Sequence, residues 1–202
     1  MLQNNYAPHS EYGFDPTDVT HRISGNLTYK LPFGKGQRFF GHLSDRKDRL
    51  IGGVTFASTV IGETGRPLQI AGANGYGATR PDFVPGVSPK LANPGVSEWF
   101  NTAAFQAAPF YTLGNVPRTL GAVRSPGDLT LNLNLGKQVK FERYTGELRV
   151  DAFNALNKTN FGTPNTNYVA SSTTTTSTTS AFGTITSAQP ARTIQITARI
   201  RF

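Results

Sequence analysis

Cysteine is absent from the 202 residues, which removes a disulfide framework and thiolate metal sites together. No apolar run approaches the roughly 20 residues that a membrane-spanning helix needs. That excludes a helical membrane protein but not a barrel, whose strands alternate. The N-terminus, M-L-Q-N-N-Y-A-P-H-S, has neither a basic start nor an apolar segment behind it, so no signal peptide is read there. The chain is then either cytosolic or a piece of something longer, and the piece is the favoured expectation.

Catalytic signatures are missing too. There is no H-E-x-x-H, no nucleophile elbow G-x-S-x-G and no phosphate-binding Walker loop. His9, His21 and His42 stand singly, and Gly34-Lys35-Gly36 and Gly62-Glu63-Thr64-Gly65 read as ordinary turn signals. Glu147 and Asp151 lie four residues apart on a strand, about 13 Å, beyond the spacing of a glycosidase pair. The expectation is no enzyme, no cofactor and no metal. A net charge of +8 raises nucleic acid as a partner. The basic residues read as spread along strand faces and one turn, and no nucleic-acid module motif accompanies them, so none is expected.

What the chain does carry is β-forming. Fourteen Phe and seven Tyr stand against one Met and one Trp, an aromatic balance that suits strands. The clearest stretch is the last, A-R-T-I-Q-I-T-A-R-I-R-F over residues 191–202. Ile194, Ile196, Ala198, Ile200 and Phe202 fall on one face, and Thr193, Gln195, Thr197, Arg199 and Arg201 on the other. Such alternation reads as a strand with one apolar and one polar side. Four more follow the same period, near 21–31, 50–61, 128–140 and 145–156. Asp45-Arg46-Lys47-Asp48-Arg49 reads as a solvated turn.

Two connections are long, 62–127 and 157–190, and the second includes ten consecutive Ser or Thr at 171–180, a low-complexity tract expected to be mobile. The turn at 141–144 is very short. Long loops at one end and shorter turns at the other are the habit of outer-membrane barrels, and strands of about 9–12 residues suit a tilted crossing. Phe33, Phe141, Tyr144 and Phe202 would gather at the periplasmic interface. Five strands cannot close a barrel, since the smallest bacterial ones have about eight. The fold expected is therefore all-β: antiparallel transmembrane barrel strands, the C-terminal part of a larger barrel, over 1–202, embedded in outer-membrane lipid.

Arg149-Val150-Asp151-Ala152-Phe153-Asn154-Ala155-Leu156-Asn157-Lys158-Thr159-Asn160-Phe161-Gly162 resembles the penultimate-strand signature of Oar-like TonB-dependent receptors. So do Phe182-Gly183-Thr184-Ile185, the lead-in Pro190-Ala191-Arg192-Thr193-Ile194-Gln195 and the terminal Arg-Phe. Leu31-Pro32-Phe33-Gly34, Arg80-Pro81-Asp82, Trp99-Phe100-Asn101, Ala104-Phe105 and Gly114-Asn115 follow that family's order, so the resemblance spans nearly the whole chain. It implies an outer-membrane receptor of about 22 strands, plugged by an N-terminal domain, powered by the TonB complex and importing a large nutrient such as a glycan or peptide. The plug and TonB box do not occur in these residues, and this segment is not expected to transport alone. The resemblance also implies that Phe202, with Ile200 and Ala198, is read by the barrel-assembly machinery.

Two groups stand out as candidate sites. Glu147, Arg149, Asp151, Arg199 and Arg201 are read as lumen-facing charges, with simple cross-strand ion pairing as the plainer account. Trp99, Phe100, Phe105 and Tyr111, with Phe110, are read as an external ligand platform or, more plainly, as a cluster that packs the loop. Two other classes stay open: a soluble β-sandwich that binds carbohydrate, with apolar faces meeting in a dry core, and a plug-less porin or adhesin.

Overall fold

The computed structural model describes residues 3–72, 80–141, 143–169 and 181–202, the side chains of Ser10 and Phe141 excepted. The Ser/Thr tract 171–180 lies outside the described residues. In chain order the strands are β1 (Arg22–Lys30), β2 (Val54–Glu63), β3 (Pro67–Leu68), β4 (Asp82–Phe83), β5 (Phe105–Gln106), β6 (Leu120–Arg124), β7 (Asp128–Phe141), β8 (Tyr144–Phe153) and β9 (Thr193–Arg201). A seven-residue helix, α1 (Asp45–Ile51), precedes β2, and short 3₁₀ turns occupy Pro8–Glu11 and Thr102–Ala104. The chain is all-β in character, and every strand pair is antiparallel.

Two compact units divide the chain. The strand unit comprises 22–63, 128–159 and 190–202. Its single sheet has the order β1-β2-β7-β8-β9. Period-two alternation makes the register decisive, because a slip of one residue would exchange the two faces. In the register observed, Leu27, Ser58, Leu133, Ala152 and Ile194 form one row, and Tyr29, Phe56, Leu135, Val150 and Ile196 the next. Thr28, Ala57, Asn134, Asp151 and Gln195 form a row of the opposite face. Apart from Ser58 in the first row and Ala57 in the last, both in β2, apolar residues thus stack with apolar and polar with polar across the sheet.

Strand ends depart from the sequence expectation at two places. Leu50 and Ile51 belong to α1, so β2 starts at Val54; the charged run 45–49 is helical rather than a turn. Its ladder closes through Asp48 N–H to Ser44 O at 2.9 Å and Gly52 N–H to Asp48 O at 2.7 Å. Gly34, at φ +118°, holds the preceding turn so close that a Cβ would collide with the Asp48 carboxylate and the Gly52 backbone, and the Lys35 amide donates to that carboxylate. At the other end β8 stops at Phe153, because Asn154 takes φ +49° and turns the chain.

The loop unit comprises 1–21, 64–127 and 160–189. It is a folded body instead of bare loop. Its small sheets are β3-β6 and β4-β5, and it contains a core of Leu68, Ile70, Phe100, Ala104, Phe105, Val116, Leu120, Val123, Tyr168 and Phe182. Four aromatic rings meet there edge to face: Phe100–Phe182 at 5.1 Å, Phe105–Phe182 at 5.6 Å and Tyr168–Phe182 at 5.5 Å. Edge-to-face pairs add about 0.5–1.5 kcal/mol each beyond the area they bury. Polar contacts pin the periphery. Trp99 Nε1 donates to Arg124 O at 2.7 Å, and Arg124 pairs with Asp18 at 2.6 Å while lying over the Phe14 ring.

Candidate functional site

The functional surface is the sheet of the strand unit, whose two faces differ in kind. On the apolar face Ile194 is 62 % exposed, Ile196 70 % and Ile200 70 %. No second sheet covers them among the described residues of this unit, and water is a poor neighbour for such a surface. The dry core that a soluble sandwich needs is therefore not formed by these strands. Phe202 continues this face, its ring meeting Tyr144 at 6.5 Å in an edge arrangement. Ala198 and Ile200 sit opposite Leu148 and Gly146. Phe33 packs against Phe39 and Phe40 at 5.8 and 6.2 Å in the 31–53 connection; the side chain of Phe141 lies outside the described residues.

The opposite face carries the predicted charges. Asp151, 7 % exposed, accepts from Asn134 Nδ2 at 2.6 Å and from Arg149 Nε at 3.0 Å. Glu147 lies opposite Arg199 in register, yet its nearer cation is Arg201 at 3.9 Å. Arg22 and Glu63, also 3.9 Å apart, extend the pattern to the β1–β2 pair. The five residues thus share one wall, tied by same-strand and diagonal contacts. Arg199 makes no ion pair with a described residue. Asn26 and Thr59 join across the same face at 2.8 Å.

The aromatic platform is divided. Phe100 and Phe105 are 0 % and 2 % exposed, packed inside the core of the loop unit. Trp99 is partly buried against that core. Tyr111, at φ +62°, and Phe110 lie on the exposed surface.

One arrangement was hidden from a linear reading. At residues 30–53, 137–147 and 199–201 the sequence holds eleven Lys and Arg against four Asp and Glu, and antiparallel pairing brings these segments to one end of the sheet. The loop unit, by contrast, holds five of each sign. Eleven of the twenty basic residues are thus gathered at one end of the sheet, on its strands and in the connections there, a concentration visible only once the hairpin order was known.

All the long connections join the sheet at its other end. Arg22, Glu63 and Asp128 are level there in register, as are Phe153 and Thr193. The opposite end has the 31–53 connection and the short link between Phe141 and Tyr144, which pair. An antiparallel sheet with one apolar face, one charged face and long connections at one end has the pattern of an outer-membrane β-barrel wall. Residues 1–195 match the family model described as "Outer membrane beta barrel domain", and the chain belongs to that family. Its place is the outer membrane. No curated protein and no solved structure matches it.

Proposed function

We propose that this chain is the C-terminal barrel segment of a TonB-dependent, Oar-like receptor that takes up a large nutrient, a glycan or peptide. The observation that carries the reading is the folded loop unit, fed by every long connection from one end of the sheet. A plain pore has no need of so large a cored body on its loops, whereas a receptor must hold its ligand before moving it. Long connections are external in such barrels and short ones periplasmic, so the 31–53 and 142–143 connections face the periplasm. β1 and β9 each pair on one side only, and lipid does not tolerate open edges, so further strands complete the wall. Ala198, Ile200 and Phe202 then form the end of the strand that the assembly machinery reads. A plug and the TonB complex are the partners this reading requires.

The test is to isolate the native protein from outer membranes with an antibody against the loop unit. A receptor gives a polypeptide far above 21.8 kDa that cross-links to TonB and holds planar bilayers nearly closed to ions. A plug-less porin or adhesin gives no cross-link, and the porin conducts constitutively; either result overturns the receptor reading.

A further inference from the structure

At the basic end of the sheet α1 stands beside a cavity of about 470 Å³. Four polar strand residues, Lys30, Thr55, Gln138 and Lys140, line it together with Val139 of β7, and Arg49 lines it from the helix. The four polar strand residues all belong to the charged face of the sheet, by the register that pairs Lys30 with Thr55 and sets Gln138 opposite Glu147 and Lys140 opposite Thr145. The cavity also touches Asp45 and Asp48, but both are already engaged. Lys35 Nζ holds Asp45 at 2.6 Å and the Lys35 amide donates to Asp48. Lys30 and Lys140 have no partner among the described residues, nor do the Thr55 hydroxyl and the Gln138 amide. The pocket therefore offers two free cations and two free neutral hydrogen-bonding groups.

We propose that this cavity is a docking site for an acidic peptide segment of a separate periplasmic protein. Three features select that occupant. Of the strand residues lining the pocket, all the polar ones lie on the charged face of the sheet and only Val139 belongs to the apolar face, so a lipid headgroup beside the apolar face is on the wrong side. Its volume far exceeds a single phosphate, and its amide and hydroxyl suit a peptide backbone between carboxylates. Several of the chain's own acids are already held elsewhere: Glu11 by Arg80, Asp18 by Arg124, Glu63 by Arg22, Glu147 by Arg201 and Asp151 by Arg149. A surrounding excess of seven positive charges at this end steers such a segment inward, as fields of one sign do.

The inference rests on the proposed placement of the short connections in the periplasm, and its test separates the two. The complete receptor, extracted from outer membranes into detergent micelles, is titrated with a fluorescent deca-glutamate peptide and read by anisotropy. Binding that falls at least tenfold in Lys30→Glu/Lys140→Glu, and in part in Lys30→Gln/Lys140→Gln, supports the pocket, provided the circular dichroism of each variant is unchanged. Arg46→Glu/Lys47→Glu makes the same change in net charge on the exposed side of α1. An equal loss there means a diffuse field and overturns the pocket. So does a failure to bind, or displacement by equimolar inorganic phosphate or by phosphatidylglycerol vesicles. Separately, Lys47→Cys is treated with a membrane-impermeant maleimide. Labelling only after the outer membrane is breached supports the periplasmic placement; labelling in intact cells overturns it and the periplasmic partner with it, even where peptide binding in micelles persists.

Discussion

Asn154 ends β8 with a left-handed backbone, φ +49°, and its side chain then does what a helix or strand cannot do there. Its Nδ2 donates to Lys158 O at 2.9 Å and its Oδ1 accepts from Lys158 N–H at 3.2 Å, while its own N–H donates to Asn132 Oδ1 at 3.0 Å. Asn157, at φ +51°, accepts from Arg192 N–H at 3.1 Å. Asn tolerates this region where branched residues do not, which gives the D-A-F-N-A-L-N stretch a physical reason. Asn154→Gly keeps the backbone and loses the side-chain bonds, roughly 1–3 kcal/mol for the groups left unpaired. Asn154→Ala loses the same bonds and adds about 1 kcal/mol of left-handed strain. Urea midpoints in lipid vesicles should therefore order wild type, Gly, Ala; an Ala variant as stable as Gly would remove the strain argument. In the loop unit, Glu11 and Arg80 form a buried two-point pair at 2.8 and 2.6 Å. Hydrogen bonds from the Arg80 guanidinium hold the Glu11 carboxyl below its ordinary 4.5, against the opposing effect of burial. A depressed carboxyl stabilises above the unfolded value and loses that contribution as pH falls through the folded one. The loop unit should thus keep its stability above about pH 5 and lose it in acid. Trp99, the single Trp, reports this by fluorescence. Glu11→Gln should flatten the acid limb, leaving the smaller share of exposed Asp15, which Thr17 also holds low; an unchanged limb would acquit the pair.

The period of two in β9 has a direct consequence for single substitutions. Ile196 lies on the apolar face opposite Val150, and Thr197 on the charged face opposite Arg149. Ile196→Arg places a charge near mid-strand against lipid, where it costs about 2–4 kcal/mol. Thr197→Arg faces the polar interior and should cost well under half as much, although Arg149 beside it is a like charge. Folding midpoints in vesicles decide this, and equal losses for the two variants would mean that the faces are not lipid and lumen. Alternation of this kind made the five long strands legible from the sequence, because each face announces itself within a few residues. The helix α1 was not legible. Asp45-Arg46-Lys47-Asp48-Arg49 has no apolar stripe, and its helical form depends on contacts brought by the fold, among them Lys137 Nζ donating to the Gly52 carbonyl just past the helix. The long strand β7 supplies that lysine from 85 positions away, and nothing local in either segment signals the pairing.

The two units divide the molecule's tasks by charge and by packing. The strand unit carries the whole net charge, with the loop unit neutral, and among the described residues the buried aromatic core lies in the loop unit. That core escaped the sequence reading because its members come from three separate stretches with no period: Leu68 and Ile70, Phe100 to Val123, and Tyr168 with Phe182. Each stretch alone is loop-like, and their meeting is a tertiary fact. Phe100 and Phe105, read from the sequence either as a ligand platform or as loop packing, are buried in that core. The division predicts separable stability. Phe100→Ala removes a fully buried ring from the four-ring cluster, a change that costs about 3–5 kcal/mol in a packed core. Because local units open below the global free energy, hydrogen exchange in 64–127 should accelerate by two to three orders of magnitude while the amides of β7, β8 and β9 stay protected. Outer-membrane insertion should survive, since the apolar face of the strand unit and Phe202 are untouched. Ile196→Arg should do the reverse, weakening insertion and leaving the Trp99 signal of the loop unit in place. If Phe100→Ala abolished insertion as well, the loop core would be part of the barrel's own folding nucleus, and capture and assembly would be one structural problem instead of two.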